Sequence, residues 1–320
     1  MSDDIEVRAT QPPVGAPRSQ RAPIPGPVPA SEAQRSNYPP GGPALQSLRP
    51  PAYGQGVILS VVVAAVVLIL AIIAAGDGEE ASVPMLESTK PIFWGLAALL
   101  ILGAGAFAQF VETNTVRLSA DGSPHTVKQD FPSAWAGPVV ATLSAVLLVA
   151  TYHNTAMLLI GPAVAFIGNA STLFARDLLS DATTNSEKVA FAVHAGVLHI
   201  LALISLAVVY INKFPALWGP LLAFIIAGVL FLELLDTGKL QPVQRILYAA
   251  CGGFLVGQAL VLLNWWPTYG WQAGAVMLVC FALVSMALVS LARDEMPKPS
   301  QLALFSGAAV VALAILAYAS

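Results

Sequence analysis

The chain has 320 residues, 57% of them hydrophobic and only 10% charged, with a mean hydropathy of +0.74. A soluble domain carries about a quarter charged residues, so a single water-soluble globule is excluded. A formal net charge of −3 leaves no basic footprint for nucleic acid.

Residues 1–52 come first in the chain and form a region apart. Twelve prolines, from Pro12 to Pro51, interrupt a polar stretch with almost no apolar clusters. Such a segment cannot bury enough surface to offset its ordering entropy, so a disordered or polyproline II cytoplasmic tail is expected. Pro50-Pro51-Ala52-Tyr53 has the PPxY shape that WW domains read, but four residues inside a Pro-rich tail match that shape by chance, and a plain solvated tail is the better reading. The first apolar run begins some 55 residues in, which is not the layout of a signal peptide.

Residues 53–320 read as an all-α, polytopic transmembrane bundle. Nine apolar runs lie at about 56–75, 91–111, 136–151, 155–175, 189–211, 216–234, 246–263, 272–292 and 301–319. Most approach the roughly 20 residues needed to cross a hydrocarbon core of about 30 Å. The run at 136–151 is short for a span. Within the runs the only carboxylate is Glu233, at an end, and Lys, Arg and Asp are missing from them. Cys251 and Cys280 both lie in apolar runs, so no disulfide framework or CxxC metal site is expected.

Basic residues set the orientation. With the N-terminus in the cytoplasm, thirteen Lys and Arg fall inside, among them Arg176, Lys188, Lys239 and Arg245, against Lys90 and Lys213 outside. The C-terminus is then outside, and a cell membrane is the expected location. Trp94, Trp135, Trp218, Trp265, Trp266 and Trp271 all fall at run ends, as in an aromatic belt at headgroup depth. Two connections, near 152–154 and 212–215, are so short that they force antiparallel neighbours.

Polar residues at membrane depth are costly and point to function. His194 lies about 9 Å in from the inner end of the fifth run, and Asn169 is at comparable depth on the fourth. Gln109 lies in the last turn of the second run and Glu112 directly follows it, at the inner end of that helix, and Glu233 stands at the inner end of the sixth. These five are expected either to converge on one cytoplasm-facing polar pocket or to make separate interhelical hydrogen bonds. His194 and His199 are five residues apart on one helix and turn about 140° apart, so they cannot clamp one haem iron. No cofactor or metal site is expected. Gly103-Ala104-Gly105-Ala106 and Gly253-x-x-x-Gly257 are small-residue faces for close helix approach.

Nine spans with a cytoplasmic N-terminus give a layout that resembles the UbiA-type prenyltransferases. That resemblance implies aspartate-rich Mg²⁺-diphosphate motifs after the second and sixth spans. The chain offers only Asp121 and Asp130 in the first place, and Glu233 and Asp236 in the second. The one DxxxD, Asp177 to Asp181, follows the fourth span instead. The expectation is therefore a non-enzymatic accessory, scaffold or assembly subunit, in contact with the lipid bilayer and with a cytoplasmic or membrane protein partner. A small-solute or proton-coupled transporter is the alternative, and a prenyltransferase-like enzyme a remote one.

Overall fold

The computed structural model describes residues 52–75, 90–114, 116–118, 124–126, 132–180, 187–214, 217–237, 240–266 and 270–293, with scattered helical positions from 299 onward. Eight helices are defined: α1 (Ala52–Ala75), α2 (Pro91–Asn114), α3 (Ala136–Thr151), α4 (Met157–Ser180), α5 (Glu187–Ile211), α6 (Trp218–Leu234), α7 (Pro242–Asn264) and α8 (Gly270–Arg293). Six of them are long and apolar enough to cross a membrane; α3 and α6 are shorter apolar helices. The ninth run, 301–319, is described only at scattered helical positions, and the Pro-rich tail lies outside the described residues. One small departure from an all-helical fold is a ribbon in the α2–α3 connection, where Val116–Leu118 pairs antiparallel with Pro124–Thr126.

The eight helices start and stop within a few residues of the apolar runs, but several run on through charged residues. The fourth run, expected to end at 175, continues as helix to Ser180 and so carries Arg176. The seventh starts early at Pro242, where Pro occupies the first turn and Gln241 and Gln244 form a reciprocal capping box, and so carries Arg245. These two arginines stand on helices, not in connections as the basic-residue count has them.

α3 explains its own shortness. At 16 residues it spans only about 24 Å, yet 13 of those residues, from Ala136 to Ala150, are buried. It touches α1, α2, α4, α5 and α6. A helix that is apolar all round belongs in the middle of a bundle, where neighbouring helices rather than lipid cover its ends. The outer helices instead expose large apolar side chains, such as Leu102, Leu159 and Leu262, each about 70% exposed or more. Such apolar surface suits contact with lipid rather than water.

Glycine sets one contact. A Cβ on Gly253 of α7 would lie 2.5 Å from the Phe224 carbonyl oxygen of α6, and one on Gly257 would lie 2.9 Å from that of Pro220. The small-residue face therefore serves packing within the chain, and α6 and α7 run close along it. At the end of the bundle opposite the charges described next, Asn212 donates to Thr151 Oγ1 at 2.8 Å and ties α5 to α3. Trp218, Trp265, Trp266 and Trp271 cluster at that same end, each between 45% and 88% exposed.

Candidate functional site: a buried ion-pair cluster at one end of the bundle

Antiparallel threading brings the C-terminal ends of α2, α4 and α6 level with the N-terminal ends of α3, α5 and α7. The charged residues that flank the apolar runs meet there. Arg176, near the end of α4, is 8% exposed and stands at the centre. Its Nη1 donates to Glu233 Oε1 at 2.7 Å, and its Nη2 donates to Asp236 Oδ2 at 2.8 Å and to Ser133 Oγ at 3.3 Å. Its Nε lies 3.7 Å from Glu112 Oε1, too far for a hydrogen bond.

A second arginine completes the arrangement from α7. Arg245 donates from Nε and Nη2 to the Leu232 carbonyl at 2.8 and 2.6 Å, and from Nη1 to Asp236 Oδ1. The last carbonyls of a helix lack intrahelical partners and carry a partial negative charge. Arg245 thus caps α6 and holds Asp236, which a single 3-10 turn, Leu235–Thr237, swings back under the helix end. Ser133, just ahead of α3, donates to Asp236 Oδ2 at 2.8 Å.

The cluster holds three carboxylates, Glu112, Glu233 and Asp236, against two guanidiniums. N-terminal ends of α3, α5 and α7 face the same region and add partial positive charge. His194 on α5 approaches with Nε2 at 3.9 Å from Glu233 Oε1. Glu233 Oε2 and His194 Nδ1 are buried and have no hydrogen-bond partner. This leaves one acceptor and one ring nitrogen, buried at this end of the bundle, with capacity for water. A cavity of about 20 Å³ adjoins the cluster, lined by Glu112, Arg176, Asp177 and Gln55 among others. It has room for about one water.

The five residues singled out from sequence divide. Glu112, His194 and Glu233 come together around Arg176. Asn169 pairs elsewhere: its amide donates to Thr142 Oγ1 of α3 at 3.2 Å and to the Ala165 carbonyl at 2.9 Å. It lies seven residues before Arg176, about 10 Å deeper on α4. Gln109 on α2 has both amide atoms buried without a partner. Sequence reasoning leaves Arg176, Asp236, Arg245 and Ser133 out of the pocket because it places all four in connections; Asp236 and Ser133 do stand there, beside helix ends, whereas Arg176 and Arg245 stand on helices. A usable signal was present: opposite charges, Arg176 and the Glu233–Asp236 pair, flank runs that end on the same side.

His199, the other histidine of α5, has both ring nitrogens engaged. Nδ1 lies 2.7 Å from the Ala195 carbonyl and Nε2 3.1 Å from Ser285 Oγ of α8, and Phe281 packs edge-on against the ring. Among the described residues, no three His, Cys, Asp or Glu side chains converge to hold a metal ion.

Residues 82–319 match the model of a family described as "Protein of unknown function (DUF5656)". No curated protein and no solved structure matches the chain. The matched span takes in every member of the ion cluster, whereas α1 precedes it.

Proposed function

This chain belongs to the DUF5656 family, and on that premise we propose that it is a non-enzymatic multi-pass protein of the cell membrane, an accessory, scaffold or assembly subunit. In this reading nine spans cross the bilayer, the N-terminus and the ion cluster are cytoplasmic, and the C-terminus is outside. One observation carries the proposal: the buried charges are spent on one another. Arg176 and Arg245 bind Glu233, Asp236 and the end of α6, and the cavity beside them takes about one water. A transporter places its polar groups around a water-filled site near the midplane; here they staple helix ends. The Pro-rich tail, which precedes α1 in the chain, supplies the segment through which a cytoplasmic partner is contacted.

Affinity purification from native membranes tests this. Full-length protein should retain a stoichiometric partner that is lost when residues 2–50 are deleted. A second reading, proton-coupled or small-solute transport, draws on the unpartnered Glu233 Oε2 and His194 Nδ1. pH-dependent flux in proteoliposomes, abolished by His194→Phe in a folded protein, would replace the accessory reading with this one. Reporter fusions should read cytoplasmic before Met1 and external after Ser320; the same compartment at both ends contradicts nine spans.

A further inference from the structure

Away from the ion cluster, α7 carries a polar side chain on its outer surface. Gln258 is exposed, and among the described residues none hydrogen-bonds its carboxamide. It stands six residues before Asn264, the end of α7, and so about 9 Å below that end. Trp265 follows at headgroup level. A carboxamide at that depth in hydrocarbon is costly unless it finds a partner. Ser60, Asn169, Thr172, Ser205 and Ser285, by contrast, are buried and bonded within the bundle.

α7 has two unlike faces. Gly253 and Gly257 lie against α6, and Arg245 turns inward to Asp236. On the other side Leu247, Cys251, Phe254, Gln258, Leu262 and Trp265 are all exposed. At about 100° per residue these positions fall within about 40° of Gln258. They recur in steps of three and four residues, the spacing of a helix–helix seam. The seam is apolar and uncharged, with one carboxamide at its centre.

A second copy of the chain supplies what that face lacks. Two copies inserted in the same sense hold Gln258 at the same depth. A two-fold axis along the membrane normal then sets the two α7 helices side by side with their carboxamides opposed. The charge distribution of an amide is its own complement, because the oxygen of each accepts from the NH2 of the other. The ninth run cannot supply such a partner, since Gly307 to Ala317 carries no polar side chain.

We infer that the outer face of α7 is a homodimer interface, in which the Gln258 carboxamides of two copies hydrogen-bond to each other inside the bilayer. The inference rests on the membrane-spanning reading but not on the accessory role.

The test uses full-length protein labelled at its N-terminus with donor or acceptor fluorophore, mixed, reconstituted in phosphatidylcholine vesicles and followed by energy transfer as added lipid dilutes it. The expected result is a dimer whose association weakens about tenfold or more in Gln258→Leu, as the loss of two interhelical hydrogen bonds implies. In a Cys280→Ala protein, oxidation by copper phenanthroline should link the copies through Cys251, seven residues from Gln258 on the same exposed face. Energy transfer at the level of a monomer throughout the dilution overturns the inference. So does a dimer that Gln258→Leu leaves intact, or one that Cys251 does not cross-link. If Gln258→Leu does not elute as a monodisperse species, the dilution series and the cross-link, both made with Gln258 in place, decide alone. Recovery of the protein in the soluble fraction after carbonate extraction would instead contradict the membrane reading, before any vesicle is made.

Discussion

Replacing Arg176 by Met should cost far more than replacing the carboxylate it binds. In the native protein Arg176 is the hydrogen-bond partner of Glu233 Oε1 at 2.7 Å, and Glu233 is only 2% exposed. Arg176→Met leaves that carboxylate buried with His194 at 3.9 Å as its nearest ionisable neighbour. Removing one partner of a buried ion pair costs about 3–5 kcal/mol. Asp236 is cushioned, because Arg245 and Ser133 still hold it. Glu233→Gln leaves Arg176 its Asp236 and Ser133 partners and keeps an acceptor toward it, but puts an amide NH2 where Oε2 has no partner; the loss should be about 1–2 kcal/mol. The double variant should recover about 1.5–3 kcal/mol relative to the sum of the two singles, the coupling expected of direct contacts. Reversible unfolding in mixed micelles of sodium dodecyl sulfate, followed by tryptophan fluorescence, measures all four corners of the cycle. If Arg176→Met loses less than about 1 kcal/mol, or no more than Glu233→Gln, the cluster is not the clamp described here.

Three further outcomes follow from the same structure. His194→Phe removes a long contact to Glu233 and adds apolar volume in a buried place, so stability should change by only ~1–2 kcal/mol in the same unfolding assay; a larger loss would make His194 part of the clamp. Gly253→Val drives a side chain into the Phe224 backbone and should cost about 3 kcal/mol or more, while Gly103→Ala, where a Cβ meets nothing within 4 Å, should be neutral or slightly stabilising. If both glycine variants behave alike, α6 and α7 are not in the close contact described. Deleting residues 2–50 should leave the thermal transition of the detergent-solubilised bundle unmoved, because a Pro-rich polar stretch has no apolar face to contribute; a clear drop means the tail packs on the helices.

The fold was largely legible because its signal is long and repetitive. Runs of about twenty apolar residues announce helices whatever their neighbours do, and α3 begins and ends at the residues where its run does. What a run cannot show is which helix sits in the centre. α3 looked like a weak span, but it is a buried core helix, and its burial depends on five other helices that it touches. The site was legible in part for a related reason. Depth along a helix can be counted, so Glu112, His194 and Glu233 could be placed at one level. Azimuth cannot be counted across helices, so depth alone groups Asn169 with them although it turns toward Thr142 of α3. Arg176 and Arg245 were hidden by the assumption that cations at run ends stand in water. They extend the helices inward and bury their guanidiniums against carboxylates, which the desolvation cost permits only because partners from α6 and its following turn meet them.

The most direct test of the account is an experimental structure of the full chain in a lipid nanodisc, determined by electron cryomicroscopy at a resolution that shows side chains. The account predicts Arg176 within hydrogen-bonding distance of both Glu233 and Asp236, α3 enclosed by its neighbours, and lipid density on the outer faces of α1, α2 and α4. Arg176 extended to the headgroups, with Glu233 lining an open aqueous channel, would contradict it.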